Sequence, residues 1–191
     1  MPAAAGHALV SSTVIELPTA ELVEAVRAAR IDVAVVHGPL TLGDDLSSER
    51  IADRSLVGVM VAAKGPLGSL DVIPAAALQE HPGATFPRQW NPEVWSRVHA
   101  ALTELVADLR TDVELTTLQA ALTAVTSLER WIPASPAVAA WLPPNVAYRP
   151  VQGLNIPLTV DAVRRSGDAS PAIDRFIRAL HDVEERRTTA G

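Results

Sequence analysis

An α/β fold with helices alternating with apolar strands in mainly parallel sheets is what this sequence predicts. The clearest sign is the stretch from Thr19 to Pro39. Leu22, Val23, Val26 and Ala29 fall on one helical face there, with Glu21, Glu24, Arg27 and Arg30 on the other. Val33 to Val36 then runs apolar at every position, as a strand covered on both faces does. The alternation recurs, with helical patterns after Asn91, Thr117 and Ser170 separated by short apolar runs. Finally, 191 residues of which 48% are hydrophobic suffice for one large domain or two small lobes.

In chain order, Val14-Ile15-Glu16-Leu17 is expected to be a strand ended by Pro18, with Thr19 capping the first helix and Glu21 and Glu24 favoured by its dipole. The strand 32–37 ends at His37-Gly38-Pro39 and leads into a Gly/Pro/Asp-rich loop, Gly38 to Asp45. Leu46 to Asp53 is more polar. Ser55 to Ala63 is apolar up to the break at Lys64-Gly65-Pro66, and Val72 to Glu80 suits a short helix. Ala84-Thr85-Phe86 suits a short strand. Pro92 fits the first position of a helix capped by Asn91 and running through Val98, Leu102 and Leu105 to Arg110. Val113 to Leu115 is a strand, and Thr117 to Ser127 a helix with Leu118, Ala121, Leu122 and Val125 inward. Trp131 to Pro133 ends a strand, and a short helix follows from Pro136 to Trp141. Strands at Val146–Pro150 and Leu158–Val163 precede a last amphipathic helix opened by Ser170-Pro171, with Ile173, Phe176, Ile177 and Leu180 inward.

Composition removes several function classes. There is no cysteine, which excludes disulfides, thiol catalysis and cysteine-ligated metals and fits a cytoplasmic protein. No apolar run approaches the roughly 18 residues of a membrane span, and Met1 to His7 lacks the pattern of a signal peptide. The net charge is −6, and the densest basic spots are single pairs, Arg164-Arg165 and Arg186-Arg187. Such a surface does not suit direct binding to nucleic acid, which needs cations to displace counterions from phosphate. No nucleophile elbow, P-loop, dinucleotide fingerprint or zinc-protease motif occurs, and the five histidines have no metal-ligand spacing. We therefore expect no catalytic residues, no metal and no cofactor.

The segment order resembles the effector-binding domain of LysR-type transcriptional regulators, over about residues 11–182. Thr19 to Pro39 is similar to the family's helix followed by an Asp-apolar strand. Ser55 to Gly65 is similar to the strand that crosses between its lobes. Val113 to Leu122 followed by Ile132-Pro133-Ala134-Ser135 resembles the second-lobe strand, helix and Pro-x-Ser loop. Val146 to Pro150, Pro157 to Val160 and Arg164 to Ala172 resemble the return strand and final helix entry. The resemblance implies two Rossmann-like lobes joined by two crossing strands, like type II periplasmic binding proteins. Residues 1–63 with 158–191 would form the first lobe and 64–157 the second. Two departures stand out. The family's winged helix-turn-helix is absent from these residues, as is the strand and helix that open its effector domain. Either His7 to Val10 extends into that place, or the lobe is incomplete. Exposure of Val14 to Leu17 near an edge would then invite strand addition.

The resemblance implies a ligand-sensing domain that binds a small anionic effector between the lobes. It further implies a homodimer or tetramer, with DNA contacted only through a helix-turn-helix elsewhere and no membrane partner. A solute-binding protein of a transport system is the alternative, and an enzyme on a related scaffold a further one. Candidate contacts follow from position. Arg88 precedes the helix N-terminus at Asn91, where backbone N–H groups favour an anion and a guanidinium adds bidentate recognition. It could equally be a surface arginine stacked on Trp90 or Trp95. Gln89 and Asn91 share that loop, Asn91 also being a natural cap. Thr19 offers a hydroxyl at another helix start, and His37 stands at a strand's carboxyl end, where open α/β sheets bind ligands. Pro133 and Ser135 lie where the family contacts effectors, or serve only to start the helix at Pro136.

Overall fold

The computed structural model of the chain describes residues 13–115 and 117–189. It consists of two α/β lobes joined by two crossing connections, as expected. The first sheet has the order β1-β8-β2, built from β1 (Ala34–Gly38), β8 (Ile156–Arg165) and β2 (Leu46–Leu56). β8 runs antiparallel to both neighbours, in register from Ala34↔Val163 to Gly38↔Thr159 on one side and from Leu46↔Arg165 to Leu56↔Ile156 on the other. The second sheet centres on β3 (Gly58–Ala62), flanked antiparallel by β6 (Ile132–Ala134) and β7 (Val146–Pro150). β4 (Gly83–Thr85) pairs parallel with β5 (Thr111–Glu114) in a two-stranded sheet, and Gly83 forms an isolated bridge with Trp131, the residue before β6.

The expectation of mainly parallel sheets is therefore corrected. In each sheet the central strand, β8 or β3, runs against both of its neighbours. β1 and β2 are thus parallel to one another, as are β6 and β7, but neither pair is hydrogen-bonded directly. The apolar run expected over Ser55 to Ala63 is also divided. β2 ends at Leu56 and β3 begins at Gly58, leaving Val57 as the single residue of the first crossing. The backbone N–H of Val151 donates to the Val57 carbonyl at 3.0 Å, tying the two crossings side by side.

Four apolar clusters hold these layers. α1 (Thr19–Arg27) lays Val26 over Ala34, Val36, Leu46 and Val163 on one face of the first sheet. α5 (Pro171–Thr189) covers the opposite face with Ile173 and Ile177 against Ile51 and Ala162. α3 (Pro92–Leu105) buries Val94, Val98 and Leu102 in a cluster that reaches Val59 and Val61 in β3 and Ile156 and Leu158 in β8. One helix therefore packs on strands of both sheets, and burial of that much aliphatic surface fixes its position. α4 (Leu118–Ser127) covers the other face of the second sheet with Ala121, Ala124 and Val125.

Several local expectations change. Val14 to Leu17 is not a strand: nothing among the described residues pairs with it, and Val14 is 91% exposed. An apolar alternation without a neighbour leaves its backbone groups to water, so no ladder forms. Pro18, not Thr19, occupies the cap position of α1. The segment 72–80 yields only α2 (Ala75–Leu78), and α3 stops at Leu105 because Val106 turns extended and buries fully in the core. Leu118 faces out at 52% exposure, since it opens α4 directly after the Thr117 cap. Of the four tryptophans only Trp131 is fully buried, its indole N–H donating to the His81 carbonyl at 2.8 Å, whereas Trp141 is half exposed. His7 to Val10 lies outside the described residues.

Candidate functional site

Three of the candidate residues meet across the two lobes. Asn91 precedes α3, and its Oδ1 accepts the Val94 N–H at 3.1 Å, the cap its sequence position suggested. The other half of the same amide reaches to the first lobe. Nδ2 donates to the His37 carbonyl at the end of β1 at 2.8 Å and lies 3.4 Å from the Thr19 hydroxyl oxygen at the start of α1. Asn91 is 6% exposed and fully occupied, as a buried amide must be. Glu93, two residues on, accepts the Thr41 N–H at 3.2 Å. These contacts form a clasp between the lobes on the α1 side of the first sheet.

Arg88 stands apart from that clasp. It is exposed in the 3-10 turn Arg88–Trp90, with its guanidinium 5.4 Å from the centroid of the Trp95 ring. Trp95 in turn stacks on His99 at 4.6 Å. This is the cation–π arrangement weighed as the alternative for Arg88. Gln89 is exposed beside it.

His37 faces the α5 side of the sheet and remains open to solvent along one edge. The protein packed around its ring holds the imidazole below the usual histidine range. The nearby Arg54 charge adds to this effect, while the Thr159 backbone and Asp161 oppose it. Asp161 is buried at 8% exposure and accepts a hydrogen bond from the Thr159 hydroxyl. Its carboxylate lies where a side chain on Gly38 would be, 2.3 Å from an ideal Cβ. Gly38 therefore permits a close approach that no larger residue would.

Ser135 lies in a second place where the lobes face one another. An open groove of about 420 Å³ is bounded by Asp53, Arg54 and Ser55 at the end of β2, by Val57 in the first crossing and by Ser135 to Ala137 from the turn after β6. Glu184 and Arg187 of α5 complete it. The Arg54 guanidinium pairs with Glu184 and also donates to the Asp53 carbonyl at 3.0 Å. Arg187 lies 3.8 Å from the same Glu184 and 3.5 Å from the Ala137 carbonyl. Asp53 turns outward toward Arg50, and its side chain is 81% exposed. Ser135 precedes a 3-10 turn, Pro136–Ala140, but its hydroxyl makes no capping bond there. Pro133 sits within β6 opposite Val59. Sequence reasoning missed Arg54, Glu184 and Arg187. Leu46 to Asp53 looked merely polar, and an acidic-basic run near a helix end looks solvated. The only signal was an arginine directly before the apolar crossing segment.

Chemically, these two places offer hydrogen bonds and cations. Among the described residues no group of histidines and carboxylates could hold a metal ion, and no helix is long and apolar enough to cross a membrane.

A family model described as the LysR substrate binding domain matches residues 4–185. No curated protein matches the chain in sequence. Among solved structures, the chain is similar to CbnR, a LysR family transcriptional regulator, with a TM-score of 0.70 at 18% identity over 87% of this chain and 57% of that one. It is similar to the reduced form of the OxyR regulatory domain from Pseudomonas aeruginosa, with a TM-score of 0.65 at 17% identity over 85% and 78%. The regulatory domain of CcmR from Synechocystis, in complex with 2-PG, gives 0.66 at 18% identity over 86% and 79%. The chain spans little more than half the length of CbnR, and at these identities the likeness shows the fold.

Proposed function

Because the chain belongs to the LysR substrate-binding domain family, we propose that it is the ligand-sensing module of a transcriptional regulator, binding a small anionic metabolite between its lobes. The single observation that carries this reading is the family match over nearly the whole chain. The two-lobed architecture is consistent with it. Each lobe keeps its own sheet, and Val57 and residues 151–155 are the backbone between the sheets at which their angle can change. A ligand that contacts both lobes favours the closed arrangement by its differential affinity, and that bias is what a sensor transmits.

We assign the lobes to the two sheets, exchanging at Val57 and at residues 151–155. This lies a few residues before the boundaries expected at 63/64 and 157/158, and the pairing of β3 with β6 and β7 supports it. Thr19, His37 and Asn91 would set the gap on one side of the cleft and Ser135 would line the other. In this reading the module is not an enzyme, works in the cytoplasm and self-associates, and DNA is contacted by a domain outside these residues. The acidic net charge of −6 supports that last point.

The test is a thermal-shift screen of aromatic acids, amino acids, sugar acids and phosphorylated metabolites against the purified chain. A ligand at a hundred times its Kd adds about 2.7 kcal/mol of stability. For a chain of this size that corresponds to a rise of roughly 5–10 °C in Tm. One chemical class should produce a saturable shift of this order. A flat response across all four classes would contradict a sensing role.

A further inference from the structure

We propose that Arg54 and Arg187, together with the Ser135 hydroxyl, form the anion-binding part of the ligand site, and that the bound carboxylate or phosphate takes the place now held by Glu184. The proposal rests on the sensing role above and names the ligand chemistry and the residues that read it. Four observations carry it. The groove joins the crossing strand, the turn after β6 and the C-terminal part of α5, so an occupant touches both lobes. Its volume of about 420 Å³ falls in the range of small-metabolite sites. Two guanidiniums converge on one carboxylate, Arg54 in contact with Glu184 and Arg187 at 3.8 Å from it. Guanidinium forks match carboxylate and phosphate oxygens in pairs, so an incoming anion can reproduce what Glu184 supplies. Lastly, the Ser135 hydroxyl faces no capping duty in the turn it precedes.

The exchange has a structural consequence. Glu184 ties α5 to β2 through Arg54, and Arg187 ties the same helix to the second lobe through the Ala137 carbonyl. When a ligand anion replaces Glu184, the helix end loses its ion pair to β2 while the two lobes become joined through the ligand. The site therefore links occupancy to the position of α5, whose outer face carries the exposed Phe176 and Val183.

The experiment is calorimetric titration of the whole chain with two probes, benzoate and inorganic phosphate, in the wild type and in Arg54→Gln, Arg187→Gln, Arg88→Gln and Arg110→Gln. Arg110 contacts the Gln79 carbonyl, away from the groove, and serves as the control. The expected result is a Kd raised at least tenfold for the preferred probe in R54Q and in R187Q, with R110Q within twofold of wild type. The tighter of the two probes identifies the head group as carboxylate or phosphate. Arg54→Lys keeps the charge but loses the fork, and should weaken binding severalfold even if R54Q does not fold. Two results overturn the proposal: binding lost in R88Q but kept in R54Q and R187Q, or no binding of either probe to the wild type at 50-fold excess over protein and millimolar concentration. Either result leaves the sensing role to be judged separately by the thermal screen, which includes neutral and zwitterionic ligands.

Discussion

Asn91 uses both ends of one amide, capping α3 with its oxygen and holding the first lobe with its nitrogen. The two roles can be separated by substitution. Asn91→Ala removes both: loss of a cap costs about 0.5–2 kcal/mol. Leaving the His37 carbonyl without its donor adds roughly 1–3 kcal/mol. Asn91→Ser keeps a capping oxygen and loses the reach to His37, so it should fall between wild type and Asn91→Ala in urea denaturation. A serine variant as stable as the wild type would show that the clasp contributes nothing. The sequence made the cap visible, because Asn-Pro before an apolar periodicity is local information. The clasp was not visible, since its partners lie 54 and 72 positions away. Arg54 was hidden for a similar reason: its partner Glu184 is 130 residues distant, and neither residue type stands out in a charged segment.

The helix-strand alternation was legible at the scale of elements wherever burial was one-sided or complete. α1, β1, α3, α4, β7 and α5 all lie within a few residues of where periodicity puts them. β2 escaped notice because only Leu46 and Ile51 are buried along it, the rest being exposed or half-buried. Val14 to Leu17 failed in the opposite sense, having the pattern of a strand but no partner among the described residues. Helix ends without glycine were also hard to read. α1 ends with Ala29 at a φ of 54°, its N–H and that of Arg30 donating back to Val26 and Ala25 at 3.0 and 2.9 Å, an arrangement in which glycine is usual. The crossing between β2 and β3 makes a sharper prediction. A Cβ on Gly58 would lie 2.3 Å from the Arg149 carbonyl oxygen and 2.7 Å from the Tyr148 ring. The Tyr148 hydroxyl is itself buried with no hydrogen-bond partner among the described residues, and burial raises its pKa. Gly58→Ala must therefore push β3 and β7 apart next to the crossings. The expected cost is about 1–3 kcal/mol in stability, typical of overpacking. Gly167→Ala, where nothing lies within 4 Å, tests a left-handed turn at φ 78° without any clash. Should Gly58→Ala melt no lower than wild type, the two strands are looser there than this packing implies.

Taken as a molecule, the chain is two sheets that share α3 and two crossing connections, a design in which the space between lobes is the natural place for a ligand. The first sheet ends at β1, whose outer edge pairs with no strand among the described residues. Val35 on that strand is 42% exposed and Phe176 on α5 is 41% exposed. An open strand edge beside apolar side chains favours association between copies. Sedimentation at tens of micromolar should accordingly show a dimer or larger species, and a clean monomer would count against self-association. The two-lobed fold was legible only through the resemblance of the segment order to a known family, since composition alone left one domain or two lobes open. The antiparallel course of each central strand was not, because direction within a sheet depends on long-range connection and leaves no periodicity of its own. The central claim is that a metabolite binds between the lobes and is felt by both. Hydrogen–deuterium exchange with a saturating ligand from the thermal screen tests this most directly. The account predicts slowed exchange in both lobes at once, over residues 53–57 and 135–140, with α4 and β5 unchanged. Protection confined to segments of one sheet would contradict it.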